Sequence, residues 1–288
     1  MTAVPFDSRA CTLGEGPLWH PERQALFWFD ITGGRLLSRA GNGGDESDWH
    51  WGEAVSAAGW VDHDSLLVAS EIGLYRFDIA SDARERIVAL EADNPATRSN
   101  DGRADPMGGF WIGTMGKRAE PGAGAIYRYY RGALERLHEA ITIPNAICFA
   151  PDGRRAYFAD TVTGRIMTQP LDAEGWPAGA PEVFVDLRPE GLHPDGAVVD
   201  AMGGLWNAQW GAGRLARYRP DGRFDCAIAL PAPHVTCPAF GGADLRQMFV
   251  TSAREGLDAE ALARAPLSGQ TFGLMPGARG LREPRVQL

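Results

Sequence analysis

Glu15, Asn100, Asn145 and Asp195 each stand five positions before a β-turn, in segments that otherwise read alike. The segments are GEGPLWHPERQALFW, NDGRADPMGGFWIG, NAICFAPDGRRAYFA and DGAVVDAMGGLWNA, and the turns begin at His20, Asp105, Ala150 and Asp200. Converging carboxylates and amide carbonyls can replace the water shell of a hard divalent cation. One polar residue beside a turn needs no such role, but the same offset in four units argues for equivalent places in space. In two further units the offset falls on Ala57, before DHDS, and on Cys237, before GADL, and neither is an oxygen ligand. The cluster is therefore lopsided. A lopsided donor set leaves positions open for water and substrate, as a catalytic metal site requires.

Elements that place such residues equivalently must themselves repeat. A short apolar strand runs into each turn, and a second strand rich in aromatic and branched residues follows it: 25–31, 65–71, 109–115, 155–161, 204–210 and 247–253. After most of these comes a Gly-bearing turn and a third strand, as in GLYRFD and GAIYRYY, and a fourth, less regular strand such as EVFVDL fits what remains. Six units of four antiparallel strands predict an all-β, six-bladed β-propeller around a central channel, with residues 1–288 as a single domain. A β-sandwich is the competing architecture, but it lacks the longer repeat. In a propeller the innermost strand of each blade lines the channel, so equal offsets become convergence near one mouth. The one helical pattern, EGLDAEALARAPL at 255–267, sets Leu257, Ala261, Leu262 and Ala265 on a shared face and is expected in the last blade. FDSRACTL near the N-terminus and PRVQL at the C-terminus are candidates for sealing the first blade to the last.

Composition limits the partners. The chain carries a net charge of −9 with 44% hydrophobic residues, 9 Trp, and 36 Gly and 20 Pro dispersed along its length. That charge offers no basic field for nucleic acid. No apolar run reaches the roughly 20 residues of a membrane span, and MTAVPFDSRACTLGEG has neither the basic start nor the apolar stretch of a signal peptide. A cytoplasmic protein with no membrane partner is expected. Cys11, Cys148, Cys226 and Cys237 show no metal-binding spacing and are expected to be reduced thiols.

The segments LGEGPLW, RSNDGRADPMGGFWIGTM, PDGAVVDAMGGLWNAQW and LPAPHVTCPAFGGADL occur in order across nearly the whole chain. Together they resemble the SMP-30/gluconolactonase/regucalcin family of six-bladed propellers, and especially its bacterial sugar-lactone lactonases of the xylono-, arabinono- and gluconolactonase type. The resemblance implies that Glu15, Asn145 and Asp195 bind one divalent metal ion, three of the four residues the offset selects, and that Asp195 is also the acid/base residue. It implies substrate contacts from Arg98, Asn100 and Glu120. The family has Asn-Gly where this chain has Asn145-Ala146, and since alanine takes positive φ less cheaply than glycine, a slightly different backbone is expected there.

These residues suit lactone hydrolysis to the sugar acid. Oxygen donors leave the metal open among Ca, Mg, Mn, Fe and Zn. A carboxylate in hydrogen-bond reach of water is a competent general base, which fits Asp195. Arg98, Asn100 and Glu120 offer donors and an acceptor to a polyhydroxylated small molecule. Asp101 is a candidate support for Asn100 or the metal, and His193, His234 and Lys117 could reach the same mouth. Solvated charge is the plainer reading of Arg98 and Glu120, and a turn-holding role that of Asn100 before Asp-Gly. No HExxH, GxSxG or P-loop pattern offers rival chemistry. A calcium- or ligand-binding propeller without turnover is the alternative from a different functional class. The sugar, the oligomeric state and any role of Cys237 in the channel stay open at this level.

Overall fold

A computed structural model describes residues 2–288. Its strands form six four-stranded antiparallel sheets, each pairing only consecutive strands except the last. The six sheets are the six blades of a β-propeller. The innermost strands are Gly14–His20, Val55–Trp60, Thr97–Ala104, Pro144–Phe149, His193–Val199 and Val235–Gly241. The aromatic-rich second strands run Ala25–Asp30, Ser65–Ser70, Phe110–Gly116, Arg155–Asp160, Leu205–Trp210 and Gln247–Ser252.

The second strands read as near-continuous apolar runs because both of their faces are buried. Successive side chains alternate between faces, so Phe27 and Phe29 pack against blade 2 with Val68 and Phe77, while Leu26 and Trp28 pack toward Phe249 of blade 6. The same division recurs around the ring. Six apolar clusters fill the six junctions between neighbouring blades, and no single central core exists among the described residues.

Blade 6 is closed by the start of the chain. Val4–Asp7 pairs antiparallel with Thr271–Leu274, setting Val4 opposite Gly273. The seal thus begins before FDSRACTL and shares with it only Phe6 and Asp7. PRVQL forms no strand. An edge accepts one strand, and Val4–Asp7 already occupies it. The C-terminal segment instead crosses the turn-side mouth of the channel, where Val286 N–H donates to Trp60 O (2.9 Å), Gln287 N–H donates to Gly108 O (2.8 Å), and the buried Glu283 pairs with the largely covered Arg103. The helix expected at 255–267 is present only as Ala259–Arg264, capped by the Asp258 carboxylate accepting from Ala261 N–H (2.8 Å). None of its residues is buried, which explains why it stops after less than two turns.

Candidate functional site

Each of the six innermost strands slips register once, between Glu15 and Leu18, Val55 and Ala57, Ser99 and Gly102, Asn145 and Cys148, Pro194 and Ala197, and Val235 and Pro238. A bulge bends its strand and re-aims side chains. Here it does so at the same level of all six blades, at the selected offset. Gly16 serves the first bulge with φ +54°, and Ala146 adopts φ +57° at the matching place in blade 4. The backbone therefore keeps the glycine-like conformation that alanine was expected to disturb.

Glu15, Arg98, Asn100, Asn145 and Asp195 line one cavity of about 340 Å³ at the mouth opposite the C-terminal segment. All five are buried. Arg98 Nη1 donates to Ser99 O and to Asn100 Oδ1, both at 2.8 Å. Asn100 Nδ2 donates to Pro144 O (3.0 Å) and Asn145 Oδ1 (3.3 Å), and Asn145 Nδ2 donates to Thr161 Oγ1 (2.8 Å). Arg98 is thus part of the cavity wall, in a strand, and not a solvated loop charge.

The carboxylates are sparsely satisfied. Glu15 Oε2 accepts from Gly16 N–H (2.8 Å) and Asp195 Oδ1 from Gly196 N–H (3.0 Å). Burial pushes both carboxyls above the ordinary carboxylate range; the charge of Asp101 adds to the rise at Glu15, where the contact with Asp195 acts in the lowering direction, and the charges of Glu15 and then Asp101 add to it at Asp195. Burial also lowers Arg98. Asp101 lies behind the cavity wall: its Oδ2 accepts from Ile147 N–H (2.7 Å), a backbone donor within the blade 4 bulge. It supports the segment displaying Asn145, and burial raises its carboxyl to about 6.

The remaining candidates divide. Lys117 lines the cavity and pairs with Glu71 (3.1 Å). Glu120 does not line it; its carboxylate turns back to accept from Arg118 Nε (3.0 Å), and Arg118 does line it. His193 is exposed, and His234 stacks on Trp210 with ring centres 4.0 Å apart. Ala57 packs into the junction of blades 2 and 3. Cys237 is buried against the blade 5 bulge, so close that a Cβ on Gly196 would meet its Sγ at 2.3 Å. It backs Asp195 by packing, and burial raises its thiol. All four cysteines are free.

Thr161, Trp210 and Glu255 also line the cavity and were not found from sequence. Thr161, like Lys117, is the first residue after a second strand, and Trp210 ends one. Counting to the ends of the second strands as well as the first would have drawn attention to Thr161 and Trp210, whereas Glu255 lies three residues past its strand and shares no offset with them.

The description SMP-30/Gluconolactonase/LRE-like region matches residues 13–254. The chain belongs to the SMP-30/gluconolactonase family. It is 40% identical over 266 residues to the L-arabinolactonase of Azospirillum brasilense, covering 91% of this chain and 87% of that one. It is 36% identical over 278 residues to the 6-deoxy-6-sulfogluconolactonase of Pseudomonas putida, covering 94% of each. Among solved structures it is similar to a calcium-binding protein, regucalcin, from Agrobacterium tumefaciens, with TM-score 0.97, 40% identity, and coverage of 100% of this chain and 98% of that one.

Proposed function

We propose that this chain hydrolyses sugar lactones, aldono-1,4- or 1,5-lactones, to their sugar acids in a divalent-metal-dependent reaction. Its family and its lactonase relatives make it an enzyme, a sugar lactonase of the carboxylic ester hydrolase class. The observation that carries the metal-dependent reading is two buried carboxylates and an amide oxygen at the bulges of three blades, with no basic side chain hydrogen-bonded to either carboxylate among the described residues.

Glu15, Asn145 and Asp195 fit such an ion. Their donors are all oxygen, which suits a hard cation, and the raised Glu15 and Asp195 carboxyls mark a place where positive charge is wanted. Among the described residues no three His, Cys, Asp or Glu side chains form a metal cluster, so the Asn145 amide is needed as the third donor. Bound there, a divalent ion would offset the like charges, polarise the lactone carbonyl and lower the pKa of a water.

The chain's own groups do the rest. Asp195 Oδ1 is held by Gly196 N–H, which leaves Oδ2 to take a proton from the attacking water. Arg98 has Nη1 committed to Ser99 and Asn100, leaving Nε and Nη2 to hold sugar hydroxyls or the ring oxygen side of the lactone. Asn100 links that guanidinium to Asn145 and so couples substrate contact to the donor set. Glu120, paired with Arg118 at the rim, contributes an acceptor for an outlying hydroxyl.

Acid release from xylonolactone and gluconolactone, measured above the spontaneous rate with and without chelator, tests the reading. Chelator should abolish turnover, and added divalent ion should restore it. Asp195→Asn keeps the shape but removes the base, and should lower kcat by about 10² to 10⁴. Near-normal turnover in the folded variant would remove Asp195 from the mechanism. The calcium-binding regucalcin structure supports a second reading, a binding propeller without turnover. Ion binding with no acid release above background would select it.

A further inference from the structure

We propose that Thr161 is a positioning residue for the donor set: its hydroxyl fixes which end of the Asn145 amide faces the cavity and ties that amide to the backbone beside Asp195. The inference rests on the reading of Asn145 and Asp195 as donors to a divalent cation.

The argument begins at Pro194, whose carbonyl oxygen can only accept. Thr161 Oγ1 lies 2.7 Å from it and must therefore donate its single proton there. The same oxygen lies 2.8 Å from the Asn145 amide and has only acceptor capacity left for it. The NH₂ end of Asn145 must then face Thr161, and Oδ1 must face the other way, where Asn100 Nδ2 stands at 3.3 Å. A flipped amide would set two acceptors against each other at Thr161 and two NH₂ groups against each other at Asn100. One hydroxyl thus selects the carbonyl end of Asn145 for the cavity. It also bridges blade 4 to blade 5, one residue from Asp195.

The fold does not ask for this hydroxyl. In blade 4 the Asp160 carboxylate accepts from Thr142 N–H (2.9 Å) and Ile143 N–H (3.0 Å), and Thr161 N–H returns to Ile143 O (3.0 Å). Blade 1 builds the same clamp: Asp30 accepts from Thr12 N–H (3.1 Å) and Leu13 N–H (3.0 Å), and Ile31 N–H returns to Leu13 O (2.9 Å). Ile31 occupies the place of Thr161 without any hydroxyl. Blades 2, 3 and 6 make the equivalent backbone bond from Glu71, Lys117 and Ala253. The backbone at this position is common to five blades, whereas the threonine hydroxyl is tied to the one that carries Asn145.

The test compares full-length wild type with Thr161→Val, Thr161→Ser, Asn145→Ala and the Asn145→Ala/Thr161→Val double variant. Metal-stripped protein is titrated with Ca²⁺ and with Mn²⁺ by calorimetry, unfolding is followed in chelator, and kcat and KM are measured on xylonolactone at saturating metal. Thr161→Val should weaken ion affinity by about 10- to 100-fold, the usual effect of losing a group that orients a ligand. Its unfolding in chelator should stay cooperative. Thr161→Ser, which keeps the hydroxyl, should remain within about threefold of wild type in affinity. In the Asn145→Ala background the valine should add no further loss, because a residue acting through Asn145 has nothing left to orient. Wild-type ion affinity in Thr161→Val, or an equal further loss without Asn145, would overturn the proposal while leaving the lactonase reading in place. A wild-type protein that binds neither ion would overturn the reading of Asn145 and Asp195 as donors to a hard cation, and the proposal with it, whereas the lactonase reading stands or falls on acid release. If Thr161→Val does not fold, Thr161→Ala carries the same comparison.

Discussion

At the scale of single residues, Arg98 and Glu120 separate in a way that their shared expectation did not anticipate. Arg98 is buried with one nitrogen anchored, so its free nitrogens are held in fixed directions over the cavity. Glu120 is partly exposed and already bonded to Arg118. An anchored planar fork orients a lactone, and orientation is expressed in kcat as well as KM. A rim carboxylate that binds ground and transition states alike changes KM alone. Arg98→Ala should therefore lower kcat and raise KM together, whereas Glu120→Ala should raise KM with kcat nearly unchanged. Kinetics on several aldonolactones decide it: wild-type values for Arg98→Ala would reduce that side chain to wall packing. Arg98 was legible only through the resemblance, since its strand begins in a stretch, DNPATRSND, that reads as a loop.

At the scale of elements, the bulge is what made the site partly readable. A slip of one residue at a constant level of every inner strand converts a constant sequence offset into a ring of aimed side chains. The offset could be counted in the sequence, but the bulge could not be seen there. The unpaired position in blade 2 is Ser56 and not Ala57, and Ser56 Oγ donates to Ser99 Oγ (2.8 Å), a tie between blades. Thr236 likewise donates to Gly14 O (2.6 Å) in blade 1. The bulges also differ in tolerance. A Cβ on Gly16 would meet Ser56 O at 2.1 Å with φ at +54°, and that obstacle is backbone. Gly16→Ala should cost at least about 2 kcal/mol, the left-handed penalty of about 1 to 2 plus the forced shift. It should also weaken ion binding through Glu15. Ala146→Gly should change stability by less than about 1 kcal/mol, since relief of left-handed strain is offset by a lost buried methyl of about 0.8 kcal/mol and greater freedom of the unfolded chain. Chemical denaturation of both variants checks the contrast, and equal behaviour would mean that the two bulges are not constrained as the contacts indicate.

At the scale of the whole molecule, the ring has one joint unlike the others. Five junctions are made by blades that the chain enters in sequence, and the sixth depends on the first residues returning to the last sheet. Phe6 packs on Phe249 with ring centres 4.5 Å apart, and the buried Asp7 carboxylate pairs with Arg9 (2.8 Å). Arg9 in turn donates to Ser38 O and Ser47 O of blade 1, both at 2.9 Å. Residues 4–9 therefore stitch the last blade to the first. Composition and repeat length predicted a closed ring but not this register, because Val4–Asp7 is too short and too mixed to stand out as a strand before its partner is known. Without it, Thr271–Leu274 becomes an open edge, a template for pairing with another chain. Deleting residues 2–7 should lower stability by about 3 kcal/mol or more, from lost Phe6 burial and from the broken strand pairing and the half-buried Asp7–Arg9 pair. The truncated protein should also associate in a concentration-dependent way. Thermal unfolding and size-exclusion chromatography read both effects. An unchanged unfolding midpoint, with the elution profile of the full chain at every concentration, would show that the six blade junctions hold the ring closed without the seam.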